Sequence, residues 1–350
     1  MSVNRVELSI EACRLETLRP EDVVAWEQLL AEAATGGAFF SPCYAQAVHA
    51  TLEVDVRVVL VRRGPKLVGV MPLQRAGGWL GRWGLYEPIG GPMTDYVGLI
   101  AAPDVQTSWP ALLRGSGVAC LHFTHLDETQ QRHGLSGHVP RKGLRTVIHA
   151  DGGAAHWQCL RVQDKKLVGD TERRERKLVK DYGALTFRLR SDRPREDLEE
   201  LIRLKRAQYL RTGHPGAPLF DERYAGLLQH LLDNPSPSCE SVLSTLTVGS
   251  HLVAAHLGMV ANGVLHYWFP VYDEAFSAYS PGRILFRQVL LAASGQGIRT
   301  IDRGEGDTQA KRDFATESHL YFRGLVSTGM QGRLLEWAQR VEWRLTNQSR

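Results

Sequence analysis

Four consecutive residues, Ser280 to Arg283, combine types that can bind a phosphate. The stretch AYSPGRILFRQVL places a Ser-Pro-Gly triplet and an arginine directly before an apolar helical pattern. The first turn of a helix leaves backbone N–H groups without partners and carries the positive end of the helix dipole, so it stabilises an anion. Ser280 can cap the helix through its hydroxyl, Pro281 suits the first helical position, and Gly282 lets ligand oxygens approach the backbone. The triplet is also typical of an ordinary helix cap, which needs no ligand.

Three aspartates and one lysine flank this turn and could carry acid–base chemistry. Asp273 precedes it, Asp302 and Asp307 follow in IRTIDRGEGD, and Lys311 comes four residues later. An aspartate at a strand end can orient or deprotonate a nucleophile, and a lysine can neutralise a phosphate or an oxyanion. The structural alternatives are turn aspartates and an exposed helix lysine. The sequence shows no Cys-His or Ser-His signature of a covalent nucleophile and no metal-ligand spacing, so we predict direct attack and no metal.

The elements that must position these residues are readable from the pattern. An aromatic run, VLHYWFPVYDEAF, predicts a strand, RILFRQVLLAAS predicts a helix that stops at Gly295 and Gly297, and IRTID predicts a second strand. A strand–helix–strand unit of this length allows the two strands to lie parallel or splayed side by side.

An earlier part of the chain repeats this organisation. DVRVVLV, the turn RRGPK and LVGVMPL predict a β-hairpin, and SVLSTLTV, GSH and LVAAHLGMV predict another. A helical segment precedes each hairpin: RPEDVVAWEQLLAEAATGG, ending at Gly36–Gly37, in the first half and EDLEELIRLKRAQYL in the second. A duplicated α/β unit explains this better than two unrelated domains. The charged run 172–183 between the halves predicts an exposed connecting helix, with a basic clamp for polyanions as the alternative.

Length and composition set the class of protein. The chain has 350 residues, a formal net charge of +4, 43% hydrophobic and 23% charged residues. These values are typical of a globular protein of two domains, and such a mild charge does not favour DNA as a partner. Five scattered cysteines and an N-terminus without an apolar core favour a cytoplasmic location and no transmembrane segment.

The second half resembles a known family over about fifty residues. The segment HYWFPVYDEAFSAYSPGRILFRQVLLAASGQGIRTIDRGEGDTQAKRDF resembles GNAT-like acyltransferases of the CelD/BcsL type, found in cellulose and exopolysaccharide settings and related to Fem-type aminoacyl transferases. The matching features are the Tyr-Asp pair, the Ser-Pro-Gly turn, the later aspartate, Gly-x-Gly-Asp, and a lysine three residues before a phenylalanine: Tyr272, Asp273, Ser280 to Gly282, Asp302, Gly304 to Asp307, Lys311 and Phe314. One departure is Ala310, where the family commonly has tyrosine.

The resemblance implies an α/β (α+β) fold of two tandem GNAT-like domains, each a mixed, mostly antiparallel sheet flanked by helices. We expect residues 1–165 to form the N-terminal domain and 166–350 the C-terminal acyltransferase domain with the donor site. By analogy, the backbone at Phe269 and Val271 would face the pantetheine arm of acetyl-CoA or another acyl-CoA. The pyrophosphate would then meet Ser280, Gly282, Arg283 and Ile284.

The resemblance leaves three functional hypotheses. The first is an acyl-CoA-dependent N- or O-acyltransferase that acts on a small molecule or an envelope precursor. Its catalytic candidates are Asp302, Asp307, Lys311 and Asp273. The second is a Fem-like transferase that uses aminoacyl-tRNA, which needs a basic surface such as residues 173–180. The third is a degenerate scaffold that binds a partner, for which the absence of tyrosine at Ala310 is the best support.

Overall fold

The computed structural model describes residues 7–33, 37–149 and 151–348, with side chains described as far as residue 341. The chain forms two compact units. The first unit is Met1–Lys142 together with His319–Arg350, and the second is Gly143–Ser318. The expected division into domains at 1–165 and 166–350 stays a prediction.

Thirteen strands are present in the described residues. In chain order they are β1 (Leu8–Arg14), β2 (Val56–Arg63), β3 (Lys66–Arg75), β4 (Leu85–Pro88), β5 (Ile100–Ala101), β6 (Cys120–Asp127), β7 (Val139–Val147), β8 (Leu185–Arg188), β9 (Glu240–Val248), β10 (His251–Ala261), β11 (Val264–Tyr272), β12 (Thr300–Glu305) and β13 (Glu317–Ser327).

The described α-helices number eleven. They are α1 (Pro20–Glu32), α2 (Pro42–Leu52), α3 (Gly78–Arg82), α4 (Trp109–Ser116), α5 (Gly153–Gln163), α6 (Lys165–Tyr182), α7 (Pro194–Arg211), α8 (Glu222–Asp233), α9 (Pro281–Ala293), α10 (Gln309–Arg312) and α11 (Gly329–Gln348).

The sheet of the first unit has the order β1-β2-β3-β4-β6-β13, with β5 paired to β3. Only β4 and β6 are parallel among the pairs of described strands in this unit. Its core is built from valines and leucines of β2, β3 and β6, which pack against Trp109 and Leu112 of α4. Strand β13 comes from the far end of the chain and pairs with β6, where Tyr321 lies opposite Asp127.

The second unit has the order β7-β12-β11-β10-β9-β8. Its described pairs are antiparallel except β11 with β12, which run parallel over Val264–His266 and Thr300–Asp302. Helix α9 connects these two strands and buries Leu285, Phe286 and Val289 against the sheet. The mixed, mostly antiparallel α/β architecture expected from the sequence is confirmed.

The two predicted hairpins are also confirmed. Strands β2 and β3 join through a turn at Gly64, and β9 and β10 join through a turn at Gly249. Both glycines have a positive φ, 60° and 56°, which suits tight turns that other residues adopt only with strain. The helix predicted before the first hairpin is α1; its proposed stop at Gly36 lies outside the described residues.

Helix α6 contains the charged run that the sequence analysis placed between the two halves. It lies inside the second unit and buries Leu167, Val168 and Leu178, so one face packs while the charged face is exposed. Its arginines are partly neutralised within the helix, because Asp170 accepts hydrogen bonds from Arg173 and Arg174. No described helix combines the length and the hydropathy that a membrane span requires.

Candidate functional site

A cavity of about 550 Å³ lies in the second unit, where β11 and β12 cease to pair. The parallel pairing ends at His266 and Asp302, and the first turn of α9 lines the cavity beyond these residues. Its walls come from α7, β11, the turn before α9, the first turns of α9, the end of β12, and α10 with the residues after it: Lys205, Gln208, Tyr267, Pro270, Val271, Tyr272, Ser277, Ser280, Pro281, Gly282, Arg283, Phe286, Arg303, Thr308, Gln309, Ala310, Lys311, Asp313 and Phe314.

The Ser-Pro-Gly turn begins α9 differently from the way the sequence predicts. Ser280 adopts the left-handed conformation, with φ 52° and ψ 53°, and its side chain makes no capping hydrogen bond. The prediction of a hydroxyl cap is therefore wrong. The Ser280 carbonyl instead accepts the N–H groups of Arg283, at 3.0 Å, and Ile284, at 3.3 Å. Because Pro281 has no N–H, the N–H of Gly282 is left as the first-turn donor at the cavity wall.

Among the residues that the structure describes, none gives Gly282 a steric reason to be glycine. A Cβ built on it would meet only Tyr272, at 3.6 Å, which is ordinary van der Waals contact. Its φ is not among the positive values of the backbone, so conformational strain does not demand glycine either. The open space at this N–H is what an anion bound at a helix N-terminus needs.

Arg283 and Ile284, which the resemblance places at the pyrophosphate, both have contacts inside the second unit, and their binding role stays a prediction. The Arg283 guanidinium contacts Asp170, at 3.0 Å, and Asp313, at 3.4 Å, so its charge is largely compensated. Ile284 is fully buried in the core of the second unit. Its side chain therefore fixes the helix on the sheet, and its N–H is already bonded to Ser280.

The unpaired edge of β11 offers fewer backbone groups than expected. Pro270 has no N–H, and its carbonyl accepts a hydrogen bond from Lys205 Nζ at 2.8 Å. Backbone polar groups alternate between the two sides of a strand, so Phe269 and Val271 direct theirs toward β10, with which β11 pairs. The Val271 side chain reaches the cavity, whereas Phe269 is 7% exposed and is not on its lining.

Lys205 is a site residue that the sequence analysis missed. It projects from α7, its side chain is 9% exposed, and no described carboxylate pairs with it. Burial, followed by the nearby charge of Lys311, lowers the pKa of Lys205 to about 8. At a pKa of about 8 the amine is half neutral at pH 8 and roughly one-tenth neutral at pH 7, and this neutral form can accept a proton. The available signal was its place on the apolar face of α7, after Leu201 and Leu204.

Lys311 lines the cavity, and its catalytic role stays a prediction. Its ammonium donates to the carbonyls of Glu305, at 2.6 Å, and Gly304, at 3.5 Å. Gly306, which follows these two residues, has a φ of 123°, and a Cβ at this position would lie 3.4 Å from the Lys311 Nζ. The end of β12 therefore holds the Lys311 ammonium at the cavity wall.

The three predicted aspartates lie off the cavity lining. Asp302 is 4% exposed and its carboxylate accepts the N–H of Gly304 at 2.9 Å. Asp273 accepts the N–H of Ala275 at 3.0 Å and caps the 3₁₀ turn that follows. Asp307 is exposed and pairs with Arg312 at 3.2 Å. These contacts match the turn and cap alternatives, and the catalytic assignments stay predictions.

The cavity is aromatic at its floor and basic overall. Phe286, Phe314 and Tyr267 are each at most 5% exposed, and the guanidinium of Arg303 lies 4.5 Å from the ring centre of Phe286. Four of the lining side chains are basic and one is acidic: Lys205, Arg283, Arg303, Lys311 and Asp313. A lining of this sign attracts phosphates and stabilises developing negative charge.

A pair of variants separates the roles of Lys311 and Asp307. We expect Lys311→Met to lower kcat/KM about tenfold, because a charge at the cavity wall is lost. Asp307→Asn should stay within about threefold of the wild type, because its carboxylate is exposed and away from the lining. Steady-state kinetics and thermal melting check both. An equal loss of turnover in the two variants would contradict this expectation and would support a catalytic role for Asp307.

Comparison with known proteins gives a family match for part of the chain. Residues 165–312, less than half of the chain, match the family model described as "Acetyltransferase (GNAT) domain". No curated protein sequence matches the chain. Within the described chain, no group of three or more His, Cys, Asp or Glu side chains could hold a metal ion.

Several solved structures are similar over most of the chain. FemX is 12% identical with a TM-score of 0.64, over 90% of this chain and 98% of FemX. The C-terminal domain (DUF2156) of a putative lysylphosphatidylglycerol synthetase from Agrobacterium fabrum is 12% identical with a TM-score of 0.52, over 90% and 94%. A tandem GNAT protein from the clavulanic acid biosynthesis pathway is 14% identical with a TM-score of 0.46, over 92% and 99%. The chain therefore shares its fold with FemX, and residues 165–312 match the family model of GNAT acetyltransferase domains, which supports an acyltransferase as the enzyme class.

Proposed function

We propose that the cavity is the active site of an acyl-CoA-dependent N- or O-acyltransferase. The observation that carries the proposal is the convergence, in one cavity, of the bare N–H of Gly282 with the ammonium groups of Lys205 and Lys311. The first supplies a place for the donor's pyrophosphate, and the others supply a base and a charge for the reaction. The acceptor is a small molecule or an envelope precursor with an amine or hydroxyl.

The donor's phosphates would bind at the first turn of α9. The Gly282 N–H donates to a phosphate oxygen there, and the helix dipole adds to the attraction. Arg283, held by Asp170 and Asp313, keeps a guanidinium beside the turn without needing to reorganise. The apolar walls of Val271, Phe286 and Phe314 then suit the pantetheine arm and acyl chain better than a polar groove would.

Lys205 is the group best placed to take the acceptor's proton. An amine or hydroxyl loses a proton as it attacks the acyl carbon, and the base must itself be neutral to receive it. The lowered pKa of Lys205 provides that neutral form near pH 8. Its hydrogen bond to the Pro270 carbonyl fixes the amine at the edge of β11, beside the expected path of the thioester.

The same strand edge favours a second candidate, a Fem-like transferase that uses aminoacyl-tRNA. Pro270 offers no N–H and its carbonyl is engaged by Lys205, so this residue gives a pantetheine arm no donor and an occupied acceptor. An aminoacyl ester has no pantetheine arm, so it does not need hydrogen bonds to the backbone of Pro270. The likeness to FemX supports the same candidate at the level of fold. Against it, Arg173 and Arg174 of the basic run are already paired with Asp170.

A direct comparison of donors tests the proposal. A panel of acyl-CoA thioesters is incubated with the protein and a cell extract as the source of acceptors, and free CoA is measured. In parallel, transfer from radiolabelled aminoacyl-tRNA is followed at 50 and 200 mM salt, about the range over which phosphate contacts weaken strongly. CoA release that depends on the protein and on the extract is the expected result. Transfer from aminoacyl-tRNA with no CoA release would replace the first candidate with the second.

A further inference from the structure

The hydroxyl of Tyr267 is a polar group that the fold does not use. Tyr267 lies on β11, lines the cavity and is 5% exposed. Among the residues that the structure describes, none forms a hydrogen bond with this hydroxyl. Burying an unpaired hydroxyl costs free energy, and phenylalanine would fill the same space without that cost. Because this unpaired hydroxyl lies at a cavity, we expect a bound ligand to supply its hydrogen-bond partner.

The ring of Tyr267 is held firmly by its neighbours. It stacks on the imidazole of His256 with ring centres 3.8 Å apart and an angle of 10°, and it meets Phe286 edge-on at 5.3 Å. His256 is completely buried, and burial lowers its pKa, so the stacked imidazole is neutral. The packing therefore fixes the ring before a ligand arrives, with the hydroxyl oxygen itself buried at the cavity wall.

The surroundings make this hydroxyl a donor and not a base. Burial raises the pKa of Tyr267, so the phenol keeps its proton at neutral pH. The guanidinium of Arg303 lies 6.0 Å from the ring centre, and Lys205 and Lys311 line the same cavity. A protonated phenol with cations nearby stabilises an oxygen that gains negative charge.

We propose that the Tyr267 hydroxyl donates a hydrogen bond to the carbonyl oxygen of the acyl group while that carbon is attacked. This proposal rests on the proposed function. The acceptor's nitrogen or oxygen forms a bond to the acyl carbon, and the carbonyl π pair moves onto the oxygen facing Tyr267. The pair then returns, the bond to the leaving sulfur breaks, and the sulfur takes the bonding pair, so CoA departs as a thiolate. The acceptor's proton passes to Lys205 and Tyr267 keeps its own, so atoms and charge balance.

A crossed pair of tyrosine variants tests the proposal. Tyr267→Phe removes only the unpaired hydroxyl, whereas the matched control Tyr279→Phe removes a hydroxyl that donates to Asp181 at 2.8 Å and lies off the cavity lining. We expect Tyr267→Phe to keep or raise the melting temperature and to lower kcat about tenfold with KM little changed, since the bond strengthens in the transition state. Tyr279→Phe should do the reverse, with a lower melting temperature and unchanged kcat.

Each measurement decides something by itself. A fall in the melting temperature of Tyr267→Phe would overturn the proposal, because it would mean that the hydroxyl has a structural partner. Unchanged kcat in an active Tyr267→Phe enzyme would also overturn it. If the wild type releases no CoA and transfers no aminoacyl group, the proposed function fails and the oxyanion proposal falls with it; the melting temperatures then decide only whether the hydroxyl is unpaired.

Discussion

Replacing Lys205 with methionine is expected to remove most of the turnover and to make the protein more stable at pH 7. The turnover falls because the proposed general base is lost, an effect of roughly 1,000-fold by the usual size of such contributions. The stability rises because methionine fills the apolar site beside β11 without a charge to desolvate. A residue retained for structure alone would show the opposite change in stability.

The pH dependence of this effect has a definite sign. The pKa of Lys205 falls from 10.5 to about 8 on folding, so the unfolded chain binds more protons than the native protein between these values. The stability of the wild type therefore increases from pH 8 to pH 10.5 and is lost as the pH falls through 8. The shift corresponds to about 3 kcal/mol, at roughly 1.4 kcal/mol per pH unit. Losing the bond to Pro270 offsets about 1 kcal/mol of the gain from Lys205→Met at pH 7.

Chemical unfolding of both proteins at pH 7, 9 and 10.5 measures this difference. We expect Lys205→Met to exceed the wild type by about 2 kcal/mol at pH 7, with the advantage disappearing by pH 10.5. Turnover of the wild type should increase through about pH 8, because only the neutral amine accepts a proton. Lys205→Arg, which stays charged, is the control: it should be as inactive as the methionine variant. An active arginine variant would show that Lys205 supplies charge and not basicity.

Replacing Gly282 with valine is expected to weaken binding of the donor about 100-fold, which corresponds to roughly 2.7 kcal/mol. A phosphate oxygen bonded to the Gly282 N–H lies about 2.9 Å from the nitrogen, and the valine methyl groups would occupy its approach. The fold itself tolerates the change, because a Cβ at this position meets only Tyr272 at 3.6 Å. The melting temperature should therefore stay within a few degrees of the wild type.

Calorimetry with CoA measures the affinity, and inorganic pyrophosphate serves as a second probe that lacks the pantetheine arm. Gly226→Val is a matched control, since Gly226 lies in α8 and a Cβ there meets nothing within 4 Å. It should bind CoA as the wild type does. Unaltered affinity in Gly282→Val would show that the Ser-Pro-Gly turn only starts the helix.

The sequence by itself determined the local elements of the site. The alternating and apolar runs predicted both hairpins, and the pattern from Pro281 to the glycines after Ser294 predicted α9 with its start and end. These features depend on neighbours a few residues apart, so periodicity and turn chemistry are sufficient to find them. The resemblance added Lys311, which does lie in the cavity with Gly282.

Only the tertiary structure decided which distant side chains meet. Lys205 precedes Lys311 by more than a hundred residues, and only the packing of α7 on β11 brings both to one cavity. The unpaired state of the Tyr267 hydroxyl likewise depends on all the atoms around it, so it cannot be predicted from composition or local pattern. The structure also shows the contacts of the three aspartates with nearby backbone N–H groups or an arginine, while their catalytic role stays a prediction. Helices, strands and turns depend on residues that are close in the sequence. Burial, and with it the chemistry of Lys205 and Tyr267, depends on contacts between segments that are far apart in the chain.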